Sequence, residues 1–351
     1  MTTTLSENSN KIVVHNNNSG QLVKEEVKVN IDDSVKQEDT KMILSTGITP
    51  DGIKYHVRRM KFEDIDEVLM VWKEIGLYEG TNTIQSFLTI DPEGFYVAVN
   101  ENDGQIVGCC AGVFVDPNVG FIGLYAVKPA FQGKGIGTSM WKQMMSHIGD
   151  KNVGLYAVPK HLITYRDKAG FRVEDTIKVL EYEGTSLKTD DLVKGIANIE
   201  IKCMTNDEIL QRKVINYDQR VVNYDRSNLL KLTFNELDAL SMVAIDKDNN
   251  SIVGFGCIRT NNINRAMAGP IYANNDAVAE LIVYNLITNL PVALTTGLDF
   301  MTPDCNPGGL RIATKLGLKK NEDLPRLFVK SIPKVDWNRI YCIHTPNFSP
   351  Y

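Results

Sequence analysis

One block of the sequence occurs twice, and this repeat limits most strongly what the chain can fold into. Residues 96–108 align with residues 242–254 at a constant offset of 146, with five identities in thirteen positions. At the same offset, Gly123 falls on Gly269. Two unrelated apolar hairpins would not be expected to share their offset with a distant pair of glycines. The sequence therefore predicts two copies of one fold.

The repeat and the local composition together divide the chain into five stretches. The chain before Tyr55 has no aromatic residue and is rich in Asn, Ser, Thr, Lys and Glu, so it cannot bury enough apolar surface to offset its ordering entropy. We predict a disordered polar tail at 1–50, a first copy at 55–183, a polar linker at 184–197, a second copy at 198–334 and a C-terminal extension at 335–351.

Composition and charge exclude several functional classes. The 351 residues are 43% apolar and 23% charged, which is ordinary for a globular protein. A net charge of -5 provides no attraction for a polyanion, so we predict no nucleic-acid partner. The sequence contains neither an apolar run near 20 residues nor a basic and apolar leader, so we expect no membrane partner and a cytoplasmic location. The pattern says nothing about the oligomeric state.

The six cysteines do not follow any metal-binding spacing, so no metal is expected. Cys109 and Cys110 are adjacent on a predicted strand, where their side chains point to opposite faces. We therefore interpret the cysteines as small apolar core side chains in a reducing compartment.

Apolar periodicity in the first copy predicts an α/β (α+β) fold with a mixed, mostly antiparallel sheet flanked by helices. The predicted elements are a strand at 55–60, a helix at 65–75, a hairpin of strands 95–100 and 105–115, a strand at 121–127, a helix from 136 to 148, and a strand at 153–158. Because a helix connects the last two strands, they should be parallel.

A glycine-rich turn connects the strand at 121–127 to the following helix. Gly133, Gly135 and Gly137 alternate there and let the backbone approach a bulky anion. The unpaired amides at the helix start also favour negative charge, and a pyrophosphate is the natural occupant. The spacing does not fit the nucleoside-triphosphate P-loop, and it departs from the dinucleotide fingerprint, which leaves NAD binding as a weaker alternative.

These residues resemble the GNAT superfamily of N-acetyltransferases. The resemblance covers about 55–183 and rests on Gln132-x-x-Gly135-x-Gly137, preceded by Leu124-Tyr125-Ala126-Val127-x-Pro129 and followed by Tyr165 to Phe171. The chain is most similar to two-domain GNAT proteins with a degenerate second domain, to which Tyr224-Asp225-Arg226 and the Gly-Pro-Ile-Tyr-Ala stretch from Gly269 correspond.

The resemblance implies tandem GNAT folds, each with a splayed parallel strand pair at the acyl-CoA site. It implies an enzyme that uses acetyl-CoA as co-substrate, with no metal, and transfers the acetyl group to the amine of a small molecule or peptide by direct attack. The backbone of Tyr125, Ala126 and Val127 would pair with the pantetheine arm. The pyrophosphate would be held by the Thr138 hydroxyl and by the amides of Gln132, Gly133, Lys134, Gly135, Ile136 and Gly137.

The sequence departs from the GNAT pattern near Tyr165. Family members usually have Tyr-x-x-x-Gly-Phe, with the tyrosine placed to protonate the departing CoA thiolate, whereas the stretch here is one residue longer. Counting back from Phe171 places Arg166 at the position of the family's tyrosine. A small adjustment of the loop would instead bring Tyr165 to that position. One helical step rotates a side chain by about 100°, so the two alternatives differ physically. We predict Tyr165 as the acid, with Arg166 as the alternative.

The second copy departs from the pattern in its loop. Between Gly269 and Gly297 there is no glycine, and Asp276 places an acid where a pyrophosphate would lie. We predict that the second copy does not bind CoA and that it covers the first copy, shapes the acceptor pocket or stabilises the pair.

Direct attack also needs a base, because an alkylammonium with a pKa near 10.4 must lose a proton first. Asp116 is the predicted base, with Tyr156 and His161 as alternatives. Glu79 and Asp91 could line the acceptor entrance, and a water chain could replace any of these groups. A non-catalytic CoA-binding sensor or scaffold is the alternative function.

Overall fold

The structure, a computed structural model, describes residues 10–16, 22–28 and 43–351. Two units are distinguished, Met1–Met42 and Ile43–Tyr351. In the first unit, strands β1 (Asn10–Asn16) and β2 (Leu22–Lys28) pair antiparallel. The other residues of the predicted tail up to position 42 lie outside the described residues.

The second unit contains both copies of the repeat. The elements of the first copy are β3 (Ile43–Ile48), β4 (Lys54–Arg59), α1 (Ile65–Glu74), α2 (Thr81–Ile90), β5 (Phe95–Asn100), β6 (Ile106–Asp116), β7 (Val119–Val127), α3 (Ile136–Ile148), β8 (Asn152–Tyr156) and β9 (Val173–Gly184). The elements of the second copy are β10 (Ile199–Cys203), α4 (Glu208–Val222), α5 (Ser227–Thr233), β11 (Ala239–Asp246), β12 (Ser251–Thr260), β13 (Ala266–Ala273), α6 (Asp276–Asn289), α7 (Pro291–Thr295), β14 (Leu298–Pro303), α8 (Pro307–Lys315) and β15 (Lys319–Phe328). A last short strand, β16 (Ile340–Cys342), follows.

Strand β3 shows that the prediction of disorder up to residue 50 is wrong at its end. β3 pairs antiparallel with β4, with Ile43 opposite Arg58, and forms an edge of the sheet. Leu44 packs against the core, whereas Ile43 and Ile48 are exposed. An edge strand buries little side-chain surface and gains its order from the backbone ladder, which is why an apolar-composition argument overlooks it.

The predicted elements of the first copy are confirmed within a few residues. The hairpin of β5 and β6 turns at Gly104, whose φ of 75° lies in the left-handed region. β7 and β8 are parallel, as the intervening helix requires. Cys109 and Cys110 lie in the two separate cores that pack on opposite faces of the sheet.

The last long strand of each copy crosses into the sheet of the other. β15 of the second copy pairs with β8 of the first, and β9 of the first copy pairs with β14 of the second. β9 and β15 also pair with each other, so one continuous sheet runs through both copies. The predicted linker at 184–197 therefore divides the sequence but not the sheet, because each copy covers the other's open strand edge.

The predicted extension at 335–351 is built into the core. β16 pairs antiparallel with β13. Of residues 340–351, all are buried except Pro346 and Asn347, which are partly exposed. In the described part of the chain, no helix combines the length and the apolar character that crossing a bilayer requires.

Candidate functional site

A gap opens between β7 and β8 in the first copy. The two strands pair in parallel from Val119 opposite Asn152 to Ile122 opposite Leu155, and beyond this point they separate. The cause is a bulge in β7, where three steps of the strand span two steps of β6. Leu124 takes a φ of 52° at the bulge, an unusual conformation for a bulky residue. Such an outlier in mid-strand is typical of functional sites.

Beyond the bulge, β7 presents side chains to both faces of the sheet. Leu124 and Ala126 pack into the core formed with α1 and α2, whereas Tyr125 and Val127 pack on the side of α3. The backbone of Tyr125, Ala126 and Val127 therefore lies along the edge where β8 has moved away. These are the three residues predicted to pair with the pantetheine arm.

The loop after β7 leads to an open helix start. Gly133 and Gly135 have φ values of 74° and 90°, and no heavy atom of the described residues lies within 4 Å of where a Cβ would stand on either. Gly135 is the residue before the first turn of α3, and within the described part of the chain no side chain caps that turn. The first turn also contains no acidic residue. Free amides and the positive end of the helix dipole therefore face open space, as anion binding requires.

The third glycine of the motif, Gly137, is needed for packing and not for an open loop. Gly137 lies inside α3, and a Cβ there would overlap the hydroxyl of Tyr125. Tyr125 in turn packs edge-on against Trp141, with ring centroids 5.7 Å apart. Gly137 is thus required for packing the helix on the strand. Burial raises the pKa of the Tyr125 hydroxyl to about 12.

Two side chains of the loop are fixed by contacts. The Gln132 Nε2 donates to the Val127 carbonyl at 2.9 Å, which closes the loop onto the strand. The Lys134 ammonium pairs with the Asp51 carboxylate at 2.6 Å. This hydrogen bond lowers the pKa of Asp51 to about 2. Ile136 is buried beneath the loop, and Thr138 is exposed beside it.

A π-helical turn absorbs the extra residue near Tyr165. Residues 164–168 form this turn, and the Ala169 amide donates to the Thr164 carbonyl five positions back. The Tyr165 ring lies 6.2 Å from Trp141, which itself contacts Tyr125. Tyr165 therefore joins the aromatic cluster beside the gap.

Arg166, the alternative to Tyr165, faces solvent. Its side chain is 41% exposed and its Nε lies 2.9 Å from the Asp167 carboxylate. Burial raises the pKa of the Tyr165 hydroxyl, so this hydroxyl keeps its proton at neutral pH. Of the two, only Tyr165 lies in the aromatic cluster beside the gap.

The structure does not bring Asp116 to Tyr165. Asp116 ends β6 opposite Val119, six positions before Tyr125 along β7, which corresponds to about 20 Å of strand. Its carboxylate accepts the Asn118 amide, and it lines an open cavity of 630 Å³ between α2 and α5.

The other candidate bases have defined partners as well. Tyr156 donates to the Pro350 carbonyl at 2.7 Å, and His161 is exposed with its ring 6.5 Å from Tyr165. Partial burial and the nearby Lys160 lower the pKa of His161. Asp91 lies 2.9 Å from the His147 ring nitrogen, away from the gap.

In the second copy, the chain itself fills the equivalent gap. β16 pairs with β13 through Cys342 opposite Ile271 and Ile340 opposite Tyr272. At the offset of 146, Ile271 and Tyr272 correspond to Tyr125 and Ala126. The Ile343 amide then donates to the Met301 carbonyl on β14 at 2.9 Å. Residues 340–343 therefore bond to both strands, in the place predicted for pantetheine in the first copy.

The helix start of the second copy is closed too. The Asn275 side chain caps the Val278 amide at 3.1 Å. The Asp276 carboxylate pairs with Arg311 and accepts from the Tyr341 hydroxyl. A side chain already binds one of the amides at this helix start, and the Asp276 carboxylate places negative charge where a pyrophosphate would lie.

Sequence reasoning overlooked residues 344–350, which we call the strap. The strap leaves β16 and crosses the first copy's gap, where a Cβ on Gly123 would overlap the Asn347 carbonyl. At the equivalent Gly269, a Cβ would overlap the Ile343 carbonyl. The two aligned glycines of the repeat were the available signal, since both admit the backbone of this one segment.

Family models match both copies. A model described as acetyltransferase (GNAT) family matches residues 60–162, and one described as acetyltransferase (GNAT) domain matches residues 214–342. A holothin acyltransferase of a Pseudoalteromonas species is 26% identical over 269 residues, covering 75% of this chain and 84% of the relative. An uncharacterized protein of Caenorhabditis elegans is 30% identical over 189 residues, covering 51% of this chain and 57% of the relative.

Solved structures share the architecture. A protein of Pyrococcus horikoshii assigned to the acetyltransferases aligns with a TM-score of 0.64 at 18% identity, covering 84% of this chain and 96% of that one. A tandem GNAT protein from the clavulanic acid biosynthesis pathway aligns with a TM-score of 0.55 at 13% identity, covering 78% and 98%. Together with the family models, this fold identifies the chain as a member of the GNAT acyltransferase family that carries two GNAT domains in tandem.

Proposed function

We propose that the protein is a cytoplasmic acetyl-CoA-dependent N-acetyltransferase whose first copy carries out the reaction on the amine of a small molecule or peptide. The observation that carries this proposal is the uncapped start of α3, where Gly133 and Gly135 leave the amides open beside the gap. The holothin acyltransferase relative supports acyl transfer as the type of reaction.

The roles follow from the placement of each group. The backbone of Tyr125 to Val127 pairs with the pantetheine arm, and the amides of residues 132–137 with the Thr138 hydroxyl hold the pyrophosphate. The second copy binds no acyl-CoA, because residues 340–343 and Asp276 occupy the equivalent places.

The amine attacks the thioester carbon as a free base, and the C–S bond then breaks. Tyr165 donates its proton to the departing thiolate. Asp116 lies about 20 Å along the strand from Tyr125, beyond the reach of a general base acting directly or through one water, so the amine loses its proton to solvent water.

A pair of isosteric variants tests the anion site. Asn and Asp both tolerate a positive φ, so Gly135→Asn and Gly135→Asp differ mainly in charge. We expect Gly135→Asp to weaken acetyl-CoA binding at least tenfold more than Gly135→Asn in calorimetry, since a carboxylate opposes the pyrophosphate. Equal affinities with native circular dichroism would contradict the site.

Turnover separates the enzyme from a CoA-binding sensor or scaffold. Thiol release from acetyl-CoA is measured with a panel of amines, amino acids and peptides. We expect release with at least one acceptor. Binding without release across the panel would contradict the transferase and favour the sensor.

A further inference from the structure

The strap closes one face of the gap in the first copy. The loop that leads into α3 lies on the α3 side of the sheet, whereas Phe348 of the strap packs against Phe87 and Phe95 on the side of α1 and α2. An acyl-CoA bound at the loop therefore has its thioester between these two faces. An acceptor amine that approaches from the face opposite the CoA meets the strap.

Two residues of the strap are partly exposed. Pro346 and Asn347 are its partly exposed residues, and Asn347 lies directly against Gly123, one position before the bulge. The residues on either side are buried: Thr345 is 1% exposed and Phe348 is 0% exposed. The strap thus places the backbone of Asn347, the polar one of these two residues, next to the point where β7 and β8 separate.

A buried carboxylate fixes the orientation of that side chain. Glu79 is 0% exposed, and its Oε2 accepts from the Asn347 Nδ2 at 2.9 Å and from the Thr345 hydroxyl. Its Oε1 accepts from the Gly80 amide. With Nδ2 held by Glu79, the Asn347 Oδ1 points away from the carboxylate, and among the described residues no group donates to it. An oriented amide oxygen accepts hydrogen bonds and repels anions.

We propose that Asn347 binds the acceptor amine, its Oδ1 accepting an N–H of the attacking nitrogen, and that Glu79 is the positioning residue behind it. This inference rests on the proposed function. It also assigns a structural role to the second copy, because β16 is held in that copy's gap and anchors the strap over the first copy.

Affinity labelling tests the location without a known acceptor. Bromoacetyl-CoA places an electrophilic carbon where the acetyl group lies, and a thiolate displaces its bromide to form a C–S bond. We expect the Asn347→Cys variant to be alkylated at least tenfold faster than the exposed control Asn338→Cys, with excess acetyl-CoA protecting it. Pro346→Cys, which loses no side-chain hydrogen bond, serves if Asn347→Cys folds poorly. Mass spectrometry locates the adduct against the wild-type background.

Equal rates at positions 347 and 338, in a variant that binds acetyl-CoA in calorimetry, would overturn this inference and leave the proposed function standing. Failure of the wild type to bind acetyl-CoA would overturn both.

Steady-state kinetics test the role of the amide. With the fastest amine of the panel, Asn347→Ala is expected to raise the KM for the amine about tenfold, as for one lost hydrogen bond, and to leave the KM for acetyl-CoA unchanged. Glu79→Gln should raise the same KM by a smaller factor. Equal changes in both KM values would indicate a merely structural role and overturn the assignment.

Discussion

The two copies contain the same gap in different states. In the first copy, the helix start is uncapped and the edge of β7 is free along Tyr125 to Val127. In the second copy, residues 340–343 occupy that edge and side chains close the helix start. The comparison shows that the same gap between two strands can stay open in one copy and serve in the other as the attachment point for the chain's own C-terminal segment.

Alanine substitutions at the equivalent glycines Gly123 and Gly269 should have the largest effects on stability, because both glycines admit the backbone of the C-terminal segment. Gly269 has a φ of 135°, and its Cβ would overlap the buried Ile343 carbonyl. Gly269→Ala is expected to lower the free energy of unfolding by about 3 kcal/mol through backbone strain and overpacking. Gly123→Ala also meets backbone, the Asn347 carbonyl, but Gly123 does not have a left-handed φ, so only the overpacking cost of about 2 kcal/mol is expected. Urea unfolding measures both, and equal losses would contradict the contribution assigned to backbone strain at Gly269.

Removing the Tyr165 hydroxyl should reduce kcat. Tyr165→Phe keeps the ring packed against Trp141 but loses the proton donor, so a decrease of about 100-fold is expected. The matched control is Arg166→Ala, whose side chain faces solvent, with a change below about twofold. Thiol-release kinetics at saturating acetyl-CoA measure both. A larger effect for Arg166→Ala would reverse the assignment.

The smallest effects concern the ion pair at the edge of the loop. Lys134→Ala should weaken acetyl-CoA binding about fivefold, because a cation beside the pyrophosphate is lost. Asp51→Asn should tighten it about threefold, since it frees Lys134 and removes a nearby negative charge. Both shifts should shrink in 0.5 M salt, as calorimetry can show. Salt-independent shifts would indicate a conformational cause.

The sequence predicted what depends on local pattern. Periodicity located the strands and helices from β4 to β8, and the glycine spacing indicated the loop and the helix start at Ile136. The extra residue near Tyr165 left two alternatives, because a π-helical turn is not evident from side-chain types.

Other features depended on contacts between distant segments. No local pattern shows that β15 pairs with β8, or that Asn347 lies against Gly123, because these pairings connect residues more than 160 positions apart. Asp116 was chosen by its position at a strand end, and only the register with Val119 shows how far along β7 it lies.

The exchange of β9 and β15 has a consequence for how the molecule is made. The sheet beside the first copy's gap is complete only when β15 has been synthesised, long after the ribosome has passed the loop at Gly135. A nascent chain that has only the first half exposes an unpaired edge of β8, which invites aggregation. Cutting the gene at the linker would therefore give two incomplete sheets, and the strand edge beside the first copy's gap is covered only after the second copy has been synthesised.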